Sequence, residues 1–125
     1  MFKIANSGTV RVPAEILTRT ESGAENKVSI QLTGRLLSQP GWDALFAKYA
    51  GEAGAGELSE VYRQNARLYA EVFTAWDGVT DEAGQALPLS QAALEAALLS
   101  VDGPQVNAAL QQAVHELRFG AVRKN

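Results

Sequence analysis

Alternation of apolar and polar positions dominates the first third of the chain. From Thr9-Val10-Arg11-Val12 through Thr18, β-branched and polar residues take turns, which is the two-residue period of a strand with one buried face. Pro13 has no N–H to give to a ladder, so this strand belongs at a sheet edge or on a bulge. Residues 27–34 alternate again and place Val28, Ile30 and Leu32 on one face. The polar stretch 21–26, with Gly23 inside it, turns the chain between the two runs. The spacing therefore predicts an antiparallel hairpin within residues 1–37. Such a hairpin is marginal alone, so its apolar face needs helices over it.

From residue 38 the period becomes helical. Ser38-Gln39-Pro40 makes a helix start, since proline is tolerated in the first turn. Trp42, Leu45, Phe46 and Tyr49 follow at helical spacing. Residues 51–56 end that helix in a Gly-rich linker. They lack the following Lys and Ser/Thr that a phosphate-binding loop needs. Over residues 58–76, Leu58, Val61, Tyr62, Tyr69, Val72, Phe73 and Trp76 form one apolar stripe, with Glu60, Arg63, Arg67 and Glu71 on the other side. This stripe carries four of the nine aromatic residues, so the segment is expected to be the central core helix, stopped at Asp77-Gly78. Thr80 to Gln85 form a turn. Ser90 is an N-cap flanked by a Leu89–Leu94 staple, and its helix runs to about residue 99. Asp102-Gly103-Pro104 opens the last helix, with Val106, Leu110, Ala113, Val114 and Leu117 inward and Gly120 closing it. The expected fold is α+β and mainly α, an N-terminal antiparallel β-hairpin followed by about four helices around one core. It forms a single domain over residues 1–125, with hairpin 1–37 and helical part 38–125.

Composition narrows the class of protein. The chain has 125 residues, 46% of them hydrophobic and 20% charged, which suits one globular domain. Cysteine is absent, which removes disulfide and thiolate chemistry. The start Met1-Phe2-Lys3-Ile4-Ala5-Asn6 has no signal-like apolar run, and no stretch approaches a membrane span, so a cytoplasmic protein without membrane contact is expected. With 11 basic and 14 acidic residues the net charge is −3, which lacks the basic field typical of nucleic-acid binders. Between residues 77 and 102 stand five acids and no Lys or Arg, whereas Arg118, Arg123 and Lys124 cluster near the end.

Candidate chemistry is sparse. The one histidine, His115, has Gln111, Gln112 and Arg118 as helical neighbours and belongs to a polar face. Asp77, Asp81 and Glu82 fail the EF-hand pattern, because its third position would be Val79 and its glycine position Glu82. No catalytic residue, cofactor or metal ligand is assigned, and a binding protein is expected rather than an enzyme. Phe119 lies off the buried stripe of the last helix. It is either an exposed contact or a cap folded back on the helix end. The partner-binding candidates are Arg118, Phe119, Arg123 and Lys124, the charges serving either a partner or simple solvation.

The second half resembles the tail assembly chaperones of long-tailed bacteriophages. The resemblance rests on Ala75-Trp76-Asp77-Gly78-Val79, then Asp81-Glu82-Ala83-Gly84, then Leu87-Pro88-Leu89-Ser90 with Leu94 following. The closing helix with Val106, Ala109 and Leu110 and the terminal Arg123-Lys124-Asn125 are similar too. The resemblance implies a non-enzymatic protein of the infected host's cytoplasm that binds the tape measure protein. It would keep that partner soluble until tail tube subunits assemble around it, and it would be absent from the virion. The tail tube protein is a second candidate partner, and weak self-association is expected. A structural tail or connector protein of the terminator type, a small cytoplasmic protein-interaction domain, and a small enzyme with an unrecognised site are the alternatives.

Overall fold

The hairpin is longer than its alternating core. In the computed structural model, which describes residues 1–50 and 56–120, β1 (Ser7–Arg19) and β2 (Glu25–Leu37) pair antiparallel from Ser7↔Leu37 to Arg19↔Glu25. Gly23, at a φ of 86°, makes the turn, and Thr20 N–H donates to Ala24 O at 2.9 Å. Val12, Ala14, Ile30 and Leu32 face the core together. Val28 shares that face but is 37% exposed, because it lies towards the turn end of the hairpin. Pro13 sits in β1, an edge of the sheet, where its missing N–H leaves no gap in an interior ladder.

Among the described residues four helices follow: α1 (Gln39–Ala50), α2 (Leu58–Val72), α3 (Gln91–Leu98) and α4 (Gly103–Phe119). The fold is α+β. Residues 51–55, most of the Gly-rich linker expected over 51–56, lie outside the described residues.

The helix expected over 58–76 starts at Leu58 as expected but is corrected in its inward face and at its far end. Leu58 is 60% exposed and stays out of the core. At the other end α2 stops at Val72, and Phe73–Asp77 form a third strand, β3, antiparallel to β2. Phe73 takes an extended conformation while its N–H still caps the helix on Tyr69 O. Two forces favour the switch. Phe73, Thr74 and Trp76 are strand-favouring residues, and β2 offers unpaired backbone groups at 31–34 that would otherwise stay open. Gln31, Leu32 and Thr33 pair with Asp77, Trp76 and Ala75, then the register shifts so that Gly34 meets Phe73. Trp76 is half-buried, and its Nε1–H donates to Leu87 O at 2.6 Å.

The central cover of the sheet is also reassigned, from α2 to α4. Val106, Ala109, Leu110, Ala113, Val114 and Leu117 are buried along α4, against Ala66, Tyr69 and Val72 along α2. The choice of glycine at position 34 follows: a Cβ there would stand 2.4 Å from Leu117 Cδ1, so the bare backbone of β2 lets α4 come close. The α3 start matches its sequence signals, as Ser90 Oγ accepts from Ala93 N at 3.0 Å and Leu94 is fully buried. Arg63 of α2 ties to Glu60 of its own helix and to Glu95 of α3, the latter at 3.3 Å. Among the described residues no helix is long and apolar enough to cross a membrane.

Candidate partner-binding groove

An open groove of about 520 Å³ lies where the end of α1 meets α2 and the end of α4. Phe46, Tyr49 and Ala50 form its α1 wall, Asn65, Leu68 and Tyr69 its α2 wall, and Gln111, Val114, His115, Arg118 and Phe119 its α4 wall. The groove exists because α1 is amphipathic in two directions. Trp42 and Leu45 turn into the core, whereas Phe46 is only half-buried and stacks on Trp42 with ring centroids 6.1 Å apart. Phe46 is thereby held as a rigid lip.

The α4 wall ends in a cation held between rings. The Arg118 guanidinium lies 5.1 Å from the centroid of Phe46 and 5.0 Å from that of Phe119, positions in which the negative faces of the rings attract it. One terminal nitrogen donates to Asp43 Oδ1 at 3.1 Å, while Nε is buried and has no hydrogen-bond partner among the described residues. Phe119 is 63% exposed, with the His115 ring 4.9 Å away on the preceding turn. It does not fold back as a cap. Gly120, at a φ of 87°, ends α4 and donates its N–H to Glu116 O at 2.8 Å.

The floor is a satisfied polar cluster. Tyr69 Oη donates to Asn107 Oδ1 at 2.8 Å, and Asn65 Nδ2 donates to the same oxygen at 3.0 Å. Burial, and secondarily the neighbouring Tyr62, pushes the Tyr69 hydroxyl well above the ordinary phenol range. It therefore stays protonated at neutral pH and acts as a fixed donor. The cluster fixes the register of α2 against α4 beneath the groove.

The α1 wall is clamped by Glu71 of α2. Tyr49 Oη donates to its carboxylate, Lys48 Nζ lies 3.1 Å from Oε1, and Arg35 of β2 reaches the Glu71 carbonyl at 2.9 Å. The Tyr49 hydrogen bond, and after it Lys48 and Arg35, hold the Glu71 carboxyl below its usual range against a smaller opposing effect of burial. A carboxyl that is more acidic folded than unfolded adds stability above its unfolded pKa and loses it as pH falls through the folded one. Glu71→Gln is thus expected to be less stable than the parent at neutral pH, with the gap closing on acidification. Urea melts of both chains from pH 7 down to pH 3 check this; a constant gap would remove the clamp.

Of the four residues singled out in the sequence, Arg118 and Phe119 are brought together on the groove, and Arg123 and Lys124 lie outside the described residues. Leu68, Asn65 and Tyr49 were not recognised as surface candidates. Leu68 carried a signal, being an apolar residue off the main stripe of α2. Asp81 is occupied structurally, its Oδ1 accepting from Ala83 N at 2.9 Å and Gln85 N at 3.0 Å. Among the described residues no group of three or more His, Asp or Glu could hold a metal ion. The groove can take a row of apolar side chains and offers a hydrogen-bond donor at its rim. Comparison with protein-family models, characterised proteins and solved structures finds no match to this chain.

Proposed function

We propose that this chain is a phage tail assembly chaperone that binds the tape measure protein and keeps it soluble while the tail is built. The observation that carries the reading is the open groove, walled by Phe46, Leu68, Val114 and Phe119 and lying between helices. Grooves of this kind take the apolar face of a partner helix. An open apolar surface of modest size also suits reversible cover of a long partner better than a closed pocket does. The Trp76–Leu94 segment, on which the family resemblance rests, lends separate support from sequence.

The test is co-expression with a phage tape measure protein. The partner is expected in the soluble fraction with the parent chain and in the pellet with Leu68→Asp or Phe119→Asp, both variants keeping their circular dichroism. A tape measure protein that stays insoluble with the parent chain would overturn the proposal. Recovery of the chain in purified virions would replace it with the structural tail or connector reading.

A further inference from the structure

We infer that the groove selects apolar helices that carry a carboxylate, with Arg118 as the group that reads it and Asp43 as an internal stand-in for the absent partner acid. The inference deepens the chaperone reading above and rests on it for the partner's name, though not for the chemistry. Guanidinium presents several N–H donors in one plane and binds a carboxylate best through two of them at once. Asp43 uses only Oδ1 and only one terminal nitrogen, leaving Nε buried and unpaired.

The Asp43 side chain is itself 72% exposed, against 26% for Arg118. An ion pair with so exposed a partner contributes little, so exchange of its acid is cheap. The donor left over is costly, since a buried N–H without an acceptor forfeits its hydration for nothing. Phe46 and Phe119 flank the guanidinium and hold it at the mouth of the groove. An incoming helix that lays apolar side chains over Leu68 and Val114 would bring a flanking Glu or Asp to that plane. It would displace Asp43 and supply the missing acceptor. The free protein is in this sense charged with a placeholder, which sets a threshold against helices that are merely greasy.

Isothermal titration of the full chain with two designed peptides tests this. Both are helices of about 18 residues, some 27 Å long, with Leu and Phe along one face and either Glu or Gln at its edge. The Glu peptide is expected to bind about tenfold more tightly, the usual scale for a charge-assisted hydrogen bond against a neutral one. Arg118→Gln should abolish that preference, and Asp43→Asn should tighten Glu-peptide binding several-fold by freeing the cation. A third peptide with the Glu but no apolar row should bind far more weakly. Equal binding of the Glu and Gln peptides to the parent chain, or binding of neither, overturns the inference without reliance on any variant folding. So does an Asp43→Asn chain, folded by circular dichroism, that loses affinity as Arg118→Gln does, because the pair would then be a strut. Peptides tiled along the tape measure protein separate the two readings. If none binds while the Glu preference holds, the partner is wrong and the chemistry stands. If one binds equally well with its acids changed to Gln, the partner stands and the chemistry falls.

Discussion

Phe73→Ala is expected to lower folding stability by about 3 to 5 kcal/mol, the range for truncating a buried aromatic. Phe73 is 1% exposed and stands at the junction where α2 becomes β3. Its ring lies 6.2 Å from that of Tyr69, and its backbone pairs with Gly34. Removing it opens a cavity between helix and sheet at the one place where neither can relax alone, since Phe73 caps the first and starts the second. A domain of this size has about 5 to 15 kcal/mol in total, so the loss is a large fraction of the whole. Urea melts of Phe73→Ala beside Phe119→Ala are the measurement. Phe119 is mostly exposed, and its loss should change stability by no more than about 0.5 kcal/mol. Equal losses from the two would mean that the junction is not where the core is anchored.

Gly103→Ala is the second large effect, expected to cost about 3 kcal/mol or more and to lower Tm by about 10 °C. A Cβ at this position would stand 2.0 Å from the Leu98 carbonyl oxygen and 2.9 Å from its carbon. Both are backbone atoms of the end of α3, so no rotamer change gives relief. The clash would force α4 away from α3 at its first residue, and the other buried residues of α4 all lie downstream. Gly34→Ala makes a useful contrast. Its clash is with the far end of the Leu117 side chain, which can swing, so a smaller cost of roughly 1 to 3 kcal/mol is expected. Thermal melts by differential scanning calorimetry rank the two. The opposite order would show that the α3–α4 corner yields more readily than the packing of α4 on the sheet.

Gly103 also shows where sequence reasoning stops. Glycine before proline at a helix start has an ordinary local explanation, and nothing local reveals that a neighbouring helix end presses on it. The β1–β2 hairpin was legible because its period of two has no competing interpretation and its partner strand is near in sequence. The third strand was not. Val72, Phe73 and Trp76 continue the helical stripe of α2 without a break, and the deciding factor is the open edge of β2 some 40 residues earlier. Likewise Arg118 and Phe119 were visible as residues left off a buried face. The groove around them was not, because it depends on Asp43 and Phe46 arriving from α1, and Asp43 is 75 positions away from Arg118. Local pattern reports one face of one element at a time. A surface built from three helices shows in each of them only as a residue or two left off its buried face.

The sheet is laid down in chain order, β1-β2-β3, and that order has a kinetic side. The first pairing joins neighbours across a short turn, whereas the second must wait for α1 and α2 to be made and folded back. Closing the longer loop costs more entropy and gains nothing until Phe73 docks. Hydrogen exchange during refolding should therefore protect amides of the hairpin before those of Phe73–Asp77. In the interval the outer side of residues 31–34 is an unpaired strand edge, able to recruit the same segment from another chain. Crowded synthesis would favour that error, and strengthening the late strand, rather than the early hairpin, is the change that would shorten the exposure.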